Sequence, residues 1–193
     1  MLFPPVCLFC NQLEQVLCKS CQSSIKVSCD PTLTGIAQSW SAGPYADPLR
    51  GAILAYKSGH QEKSLGLARV LELVLLRSKI PPSTLVPLPS STAKVHSRGF
   101  DTIGLLVTQI ARRTGLQVAP ILRYDKFTRE QVGLNRSQRQ QNMRSAFKTS
   151  VPISGAVVLV DDVVTTGATV VWAAKSLRIA GAQKIFLISL CRT

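Results

Sequence analysis

The chain has 193 residues, 46% of them hydrophobic, and a formal net charge of +13 at pH 7. This length and composition exclude a disordered chain and allow one full domain with a small appendage. The charge favours polyanionic partners such as nucleic acid, phosphorylated metabolites or an anionic membrane face, without choosing among them.

The beginning of the chain, MLFPPVCLFCNQ, has neither the basic start nor the long apolar run of a signal peptide. The most apolar later stretch, residues 65–76, is too short to span a bilayer and contains Arg69 and Glu72. We therefore expect a cytoplasmic protein without a membrane span.

Four cysteines near the start form two CxxC pairs separated by seven residues: Cys7, Cys10, Cys18 and Cys21. Two such pairs supply the four soft ligands that a tetrahedral Zn²⁺ requires. Two disulfides or a thioredoxin-like redox pair are the alternatives, which a reducing cytosol and the lack of a surrounding βαβ pattern disfavour. We predict a zinc-binding module over residues 1–30, structural because thiolates would fill all four metal positions.

Residues 31–44 are rich in Ser, Thr and Gly, which predicts a linker before a domain over 45–193. In that domain, stretches with helical spacing alternate with short apolar runs. Helices are predicted in 47–59, 65–79, 101–115 and 166–181, and strands in 83–91, 115–120, 155–162 and 184–192. This alternation predicts an α/β fold: an open parallel sheet with helices on both faces and a ligand site at the carboxyl ends of its strands.

The stretch LVDDVVTTGAT, residues 159–169, runs from a predicted strand into a predicted helix. Such a junction offers unpaired N–H groups and the positive end of the helix dipole, and Gly167 allows close approach of the backbone. This half of the stretch favours a phosphate. Additional hydroxyl donors are Thr165, Thr166 and Thr169.

Two acids, Asp161 and Asp162, immediately precede this loop. They would repel a phosphate, so they must face either a divalent cation or the hydroxyls of a sugar. A ribose 5-phosphate satisfies both halves of the stretch. The alternative is that the acids only cap the following helix.

Residues 157–169, VVLVDDVVTTGAT, resemble the phosphoribosyl-pyrophosphate (PRPP) motif of type I phosphoribosyltransferases. The resemblance implies that the paired acids act on the ribose and that the Thr-Gly loop holds the 5-phosphate. It also implies a Mg²⁺ bound mainly through pyrophosphate, which a second loop at 87–91, PLPSS, would cradle. The implied PRPP-binding residues are Asp161, Asp162, Thr165, Thr166, Gly167, Ala168, Thr169, Ser90 and Ser91, with the two acids also catalytic.

A wider set of blocks is similar to the ComF family, whose members serve DNA uptake in competent bacteria. The blocks are the CxxC pairs, LRGAILAYKSG, VPLP followed by HSRGFD, QVGLNRSQRQQN, SAF and the PRPP motif. Lys57 and Arg98 lie in these blocks and are candidates for the pyrophosphate. Asp101 departs from the family pattern, which has asparagine there. The resemblance implies single-stranded DNA and a DNA-translocating ATPase as partners, in keeping with the absence of a P-loop motif from this chain.

The basic residues concentrate between positions 90 and 148, where eleven Lys or Arg and three acids leave +8 of the total charge. They would neutralise pyrophosphate together with a nucleic-acid backbone, or form only a solvated surface. The eleven are Lys94, Arg98, Arg112, Arg113, Arg123, Lys126, Arg129, Arg136, Arg139, Arg144 and Lys148.

Three functions follow from these patterns. The first is a ComF-type accessory protein for uptake and processing of single-stranded DNA, with PRPP or a related phosphate as ligand. The second is an active phosphoribosyltransferase in nucleotide salvage, and the third is a PRPP-sensing regulator without turnover. The sequence identifies no acceptor pocket and so leaves the three open.

Overall fold

The computed structural model describes residues 4–81, 83–124, 147–149 and 151–193. Seven strands form a five-stranded sheet and a separate antiparallel pair. The strands are β1 (Ser28–Cys29), β2 (Gln38–Ser41), β3 (Thr84–Pro87), β4 (Leu122–Tyr124), β5 (Phe147–Thr149), β6 (Ala156–Val164) and β7 (Lys184–Arg192). The large sheet has the order β1-β2-β7-β6-β3 and is parallel except for β1, whereas β4 pairs with β5. The predicted α/β class with a mostly parallel sheet is confirmed.

Six helices accompany these strands in the described residues. They are α1 (Lys19–Ser24), α2 (Leu49–Lys57), α3 (Ser64–Arg77), α4 (Thr92–Arg98), α5 (Thr102–Thr114) and α6 (Ala168–Ile179). Helices α2, α3, α5 and α6 lie where the sequence predicts helices, whereas α1 and α4 were not predicted. Helix α5 shows the reason for the agreement: it buries Ile103, Leu106, Val107 and Ile110 on one face. It ends at Gly115, whose φ of +73° is a left-handed cap that glycine adopts without strain. None of the described helices combines the length and apolarity needed to cross a bilayer.

Successive residues of strand β6 face opposite sides of the sheet and pack into the two different clusters of the core. Val158 and Val160 pack into the cluster formed with α2, α3 and α5. Val157 and Leu159 pack into the cluster formed with α6 and the β4–β5 pair. Because both faces of the strand are buried, its sequence contains a continuous run of apolar residues, as is typical of central strands in parallel sheets.

The segment predicted as a linker, residues 31–44, differs from that prediction because it contains β2. This strand pairs in parallel with β7, with Ser39 opposite Leu187 and Ser41 opposite Ser189. Ser39 and Ser41 are fully buried, and the Ser41 hydroxyl donates to Asp30 Oδ1 at 2.9 Å. The buried positions are occupied by hydrogen-bonded serines, so a composition-based prediction mistakes the strand for a linker.

The strand predicted in 115–120 also differs from the structure. There, Val118 makes only an isolated parallel bridge to Leu85, and the regular strand β4 begins later, at Leu122. Pro120 ends that stretch and limits its ladder hydrogen bonds, since proline has no N–H to donate.

The cysteine-containing segment packs on helix α3. An ideal Cβ placed on Gly66 would lie 2.8 Å from the Cβ of Leu8, so a glycine allows the two segments to approach. Arg77 Nη1 donates to the carbonyl oxygen of Ile25 at 2.6 Å. Ile25 and Leu17 are buried in the same core cluster as α3. The segment therefore shares its core with the main sheet.

Candidate functional site

A cavity of about 380 Å³ opens at the carboxyl ends of β3 and β6, beside the first turns of α4 and α6. Parallel sheets bind ligands at this edge. Its lining residues are Tyr45, Lys57, Leu88, Pro89, Ser90, Ser91, Lys94, Arg98, Ile103, Tyr124, Asp161, Asp162, Val163, Thr165, Thr169 and Thr193. The cavity thus combines two acids, three cations and several hydroxyls.

The two acids lie within strand β6, which continues past them to Val164. Asp161 is opposite Ser189 of β7, and its Oδ1 accepts the backbone N–H of Asp162 at 2.8 Å. Lys57 Nζ lies 2.8 Å from Asp162 Oδ2, and the two side chains are only 25% and 13% exposed. A partly desolvated ion pair of this kind is stronger than one on the surface.

The carboxyl of Asp161 has a raised pKa. Burial, and then the charge of Asp162, raise its pKa from 3.8 to about 7, although the N–H of Asp162 and the charges of Lys57 and Lys94 act in the opposite direction. Burial and the charge of Asp161 also raise the pKa of Tyr124. Asp161 therefore holds a proton more readily than an ordinary aspartate does.

Two cations approach the acids from helix α4. Lys94 and Arg98 are four residues apart and both line the cavity, as residues on one helix face do. Ser91 caps the N-terminus of the helix, and its hydroxyl accepts the N–H of Lys94 at 3.4 Å. Helix α4 thus delivers positive charge opposite the carboxylates.

A hydrogen-bonded connection fixes the two segments that carry Lys57 and Ser90. The buried hydroxyl of Tyr56 donates to the carbonyl oxygen of Thr102 at 2.8 Å. The Thr102 hydroxyl lies 3.5 Å from the hydroxyl of Ser90. Tyr56 directly precedes Lys57. These contacts therefore hold together, at the cavity, the end of α2, the start of α5 and the loop before α4.

The loop between β6 and α6, together with the first turn of α6, supplies the hydroxyls opposite α4. Thr165 and Thr169 line the cavity, and the Thr166 hydroxyl oxygen accepts the N–H of Ala168 at 3.4 Å. Gly167 precedes the helix with a φ of +74°. The first N–H groups of a helix have no partner within it, so this end of α6 is suited to an anion.

The structure brings together most of the site residues predicted from the sequence. Those that line the cavity are Asp161, Asp162, Thr165, Thr169, Ser90, Ser91, Lys57 and Arg98. Thr166, Gly167 and Ala168 belong to the same loop but do not line the cavity itself. The predicted roles of all these residues as PRPP contacts stay predictions.

The sequence analysis included Lys94 in the basic stretch but did not single it out for this site, and it did not assign Tyr124, Tyr45 or Thr193 to the site at all. Lys94 had a signal, since its spacing from Arg98 places both on one face of a helix. The other three come from distant parts of the chain, and no local pattern indicates where they converge.

The basic stretch does not form one face in the part of the chain that the structure describes. Lys94 and Arg98 line the cavity, whereas Arg113 Nε pairs with the buried carboxylate of Glu72 at 2.6 Å. Arg123 is exposed on β4. Residues 125–146, which hold five of the eleven cations and the QVGLNRSQRQQN block, lie outside the described residues.

The four cysteines of the CxxC pairs form a cluster whose Sγ atoms all lie within 4.8 Å of one another. The Sγ atoms of Cys10 and Cys18 lie 3.6 Å apart. Tetrahedral Zn²⁺ with bonds of about 2.3 Å needs sulfurs about 3.8 Å apart, which this arrangement nearly provides. Cys7 Sγ also accepts the N–H of Cys18 at 3.4 Å. The cluster fits a structural metal such as zinc.

Comparison with family models gave no match. Among curated proteins, competence protein F of Haemophilus influenzae is 30% identical over 208 aligned positions, covering 91% of this chain and 90% of that protein. The DNA utilization protein YhgH of Escherichia coli K12 is 32% identical over 157 positions, covering 77% of this chain and 69% of its own length.

A glutamine PRPP amidotransferase from B. subtilis, solved with ADP and GMP, matches 65% of this chain with 20% identity and a TM-score of 0.45. This chain covers 25% of that enzyme. On the identity and coverage of the curated relatives, together with the cysteine cluster, this chain belongs to the ComF family, with competence protein F among its members.

Proposed function

We propose that this chain is a ComF-type accessory protein for uptake and processing of single-stranded DNA in natural transformation, and that its cavity binds PRPP with Mg²⁺. The names of the relatives, competence protein F and DNA utilization protein, support the first part. The observation that carries the second part is a single cavity in which Asp161 and Asp162 face three cations and a hydroxyl-rich loop.

The ligand's parts correspond to different walls of the cavity. The carboxylates of Asp161 and Asp162 accept hydrogen bonds from the ribose hydroxyls. The hydroxyls of Thr165 and Thr169, together with the first N–H groups of α6, bind the 5-phosphate. The residues at the start of α4 bind the pyrophosphate.

Charge balance supports an anionic ligand of this size. The described lining of the cavity holds three cations, Lys57, Lys94 and Arg98, against two acids. Lys57 is already paired with Asp162, so Lys94 and Arg98 provide the positive charge for the pyrophosphate. Arg98 contributes a planar fork of donors and Lys94 a point charge.

The residues present also fit a role for Mg²⁺. The cavity offers carboxylate and hydroxyl oxygens, the donor type that this cation prefers, while phosphate oxygens of the ligand would complete its coordination. When bound, Mg²⁺ would neutralise charge on the pyrophosphate. Asp161 and Asp162 remain assigned to the ribose hydroxyls.

A second candidate, an active phosphoribosyltransferase, is favoured by the intact acid pair beside residues 165–169, which we call the anion loop. Such an enzyme would release pyrophosphate from PRPP as an acceptor attacks the ribose, and the nearby carboxylates would stabilise the cationic ribose that develops. Pyrophosphate release above background with any purine, pyrimidine or DNA acceptor would establish it. Binding without release in the same assays would leave a PRPP-sensing regulator.

The binding test is a calorimetric titration of PRPP with Mg²⁺ into the zinc-loaded protein. Wild-type protein is expected to bind at one site, and Asp161→Asn/Asp162→Asn to lose at least tenfold in affinity, because charged hydrogen bonds contribute about 1.5–3 kcal/mol each. Asp47→Asn removes a 70% exposed carboxylate elsewhere and serves as the matched control. Equal affinities in all three proteins would remove the acid pair from the site.

The DNA part of the proposal has a separate test. Fluorescence anisotropy with a labelled single-stranded oligonucleotide at 50 and 200 mM salt should show binding that weakens steeply as salt rises, since the affinity comes from phosphate contacts. No binding at the lower salt concentration would contradict the DNA role while leaving PRPP binding untouched.

A further inference from the structure

Leu33 packs directly behind the anion loop at Gly167. An ideal Cβ placed on Gly167 would lie 2.6 Å from Leu33 Cδ2 and 2.9 Å from Leu33 Cδ1. The leucine side chain therefore occupies the space that the Cβ of any other residue would need. Gly167 meets two requirements at once, this close approach and a φ of +74°.

The segment that carries Leu33 is itself held in place. We call residues 30–37 the strap, because they cross the beginning of α6 between β1 and β2. At one end, Arg192 Nη1 donates to the carbonyl oxygen of Pro31 at 3.0 Å. At the other end, the N–H of Ala37 donates to the carbonyl oxygen of Ile185 at 2.7 Å. Both ends are thus attached to β7.

The middle of the strap turns tightly against helix α6. The N–H of Ile36 donates to the carbonyl oxygen of Leu33 at 3.0 Å, and Gly35 has a φ of +83°. A Cβ on Gly35 would lie 3.5 Å from the Cβ of Ala174. Ile36 is buried in the core cluster that contains Ala174. The position of Leu33 is therefore fixed by the core and not by the loop that it contacts.

The loop needs such support because its own contacts are weak. Thr165 and Thr166 are exposed, and the hydrogen bond from the Ala168 N–H to the Thr166 hydroxyl is long at 3.4 Å. Binding an anion with backbone N–H groups requires these groups to converge before the ligand arrives, since ordering a loose loop costs affinity. Packing of Leu33 on Gly167 restricts the loop from the side away from the cavity.

We propose that Leu33 is a positioning residue for the anion loop, residues 165–169: by packing on Gly167, it holds the loop's N–H groups in the geometry that binds phosphate. The proposal rests on the proposed function for its ligand. Leu33 does not line the cavity, so its effect passes through Gly167. The strap also makes the loop's geometry depend on the segment that follows the cysteine cluster.

The test compares Leu33→Ala with Leu105→Ala, which shortens another partly buried leucine, on α5 and in the other core cluster. PRPP affinity in the presence of Mg²⁺ and amide hydrogen exchange of residues 165–168 are measured for both. Leu33→Ala is expected to weaken PRPP binding about tenfold and to accelerate exchange in the loop severalfold. Leu33→Met, which refills the space, is expected to restore both. Leu105→Ala is expected to leave both readouts near wild type at a comparable loss of thermal stability.

A double-mutant comparison makes the inference sharper. Gly167→Ala forces the new Cβ against Leu33, so the packing contact is already disturbed in that variant. Adding Leu33→Ala to Gly167→Ala should therefore cost clearly less than tenfold in PRPP affinity. Full additivity of the two effects would overturn the proposal.

Failure of this inference is distinguishable from failure of the proposed function. If wild-type protein does not bind PRPP, hydrogen exchange in the ligand-free protein still decides the role of Leu33. Loop exchange that rises in Leu33→Ala but not in Leu105→Ala supports the inference. Loop exchange that is the same in both variants overturns it.

Discussion

Replacing Asp161 by Asn should stabilise the protein at alkaline pH. Burial and the charge of Asp162 raise the pKa of Asp161 from 3.8 to about 7, so the folded state binds a proton more tightly than the unfolded state does. The stabilising contribution of that proton is fully present below pH 4 and is lost as the pH rises through 7. Above pH 7, the folded protein carries the whole cost of a buried charge.

The size of the effect follows from this rise in the pKa of about three units. Each unit corresponds to about 1.4 kcal/mol, so ionised Asp161 lowers the free energy of unfolding by at most about 4 kcal/mol. Asn is neutral at every pH, and its Oδ1 can still accept the N–H of Asp162 as Asp161 Oδ1 does. The melting temperature of Asp161→Asn at pH 8 should thus exceed that of wild type by at most about 8–16 °C, since 1 kcal/mol corresponds to about 2–4 °C in a domain of this size. The difference should shrink towards zero near pH 4.

Urea and thermal unfolding of the zinc-loaded, PRPP-free protein between pH 4 and 8 measures this effect. Asp47→Asn, an exposed acid, is the control and should follow wild type at every pH. Two results would contradict this prediction: an Asp161→Asn protein that is no more stable than wild type at pH 8, or a gain in its stability that does not depend on pH. A variant that gains stability and loses ligand affinity would show that the site retains a charge at the expense of stability.

Three further predictions concern the surroundings of the cavity. Lys57→Met leaves Asp162 without its ion pair at 2.8 Å. It should therefore weaken PRPP binding at least tenfold in calorimetry and raise the pKa of Asp161 further; unchanged affinity would show that Lys57 does not contribute to the site. Cys18→Ser should abolish binding of one zinc per chain, measured by metal analysis, and lower the melting temperature, whereas Cys29→Ser, outside the cluster, should change neither. Tyr56→Phe should lower the free energy of unfolding by about 1 kcal/mol in urea, since it removes the buried hydrogen bond to Thr102; an effect below the error of the fit would argue against that bond.

The elements with strong apolar periodicity were predictable from the sequence. Helices α2, α3, α5 and α6 and strands β3, β6 and β7 form where the pattern places them, because each buries a regular set of side chains. The position of the acids at the carboxyl end of β6 followed from the same pattern. Local sequence carried enough information for these features.

The remaining features depend on contacts between distant segments. The composition of residues 31–44 predicts a linker where β2 forms. The buried positions of this strand include Ser39 and Ser41, and no local pattern in the sequence indicates their hydrogen bonds. The β4–β5 pair joins segments separated by more than twenty residues. Tyr45 and Thr193 reach the cavity only because β2 and β7 are neighbours in the sheet.

The packing of Leu33 on Gly167 is the clearest example of such a contact. The sequence marks Gly167 as a residue for close approach, but it assigns that approach to a ligand. In the structure, a leucine more than one hundred residues earlier in the chain occupies one side of the glycine. The cavity side remains available to an anion.

A crystal structure of the protein soaked or grown with PRPP and Mg²⁺ is the decisive test of the assignment of the acid pair to the ribose. This assignment predicts electron density for the ribose hydroxyls within hydrogen-bond distance of the Asp161 and Asp162 carboxylates, with the 5-phosphate on the loop at 165–169 and the pyrophosphate towards Lys94 and Arg98. An empty cavity at ligand concentrations that saturate binding in solution, or a ligand bound away from the two acids, would contradict it.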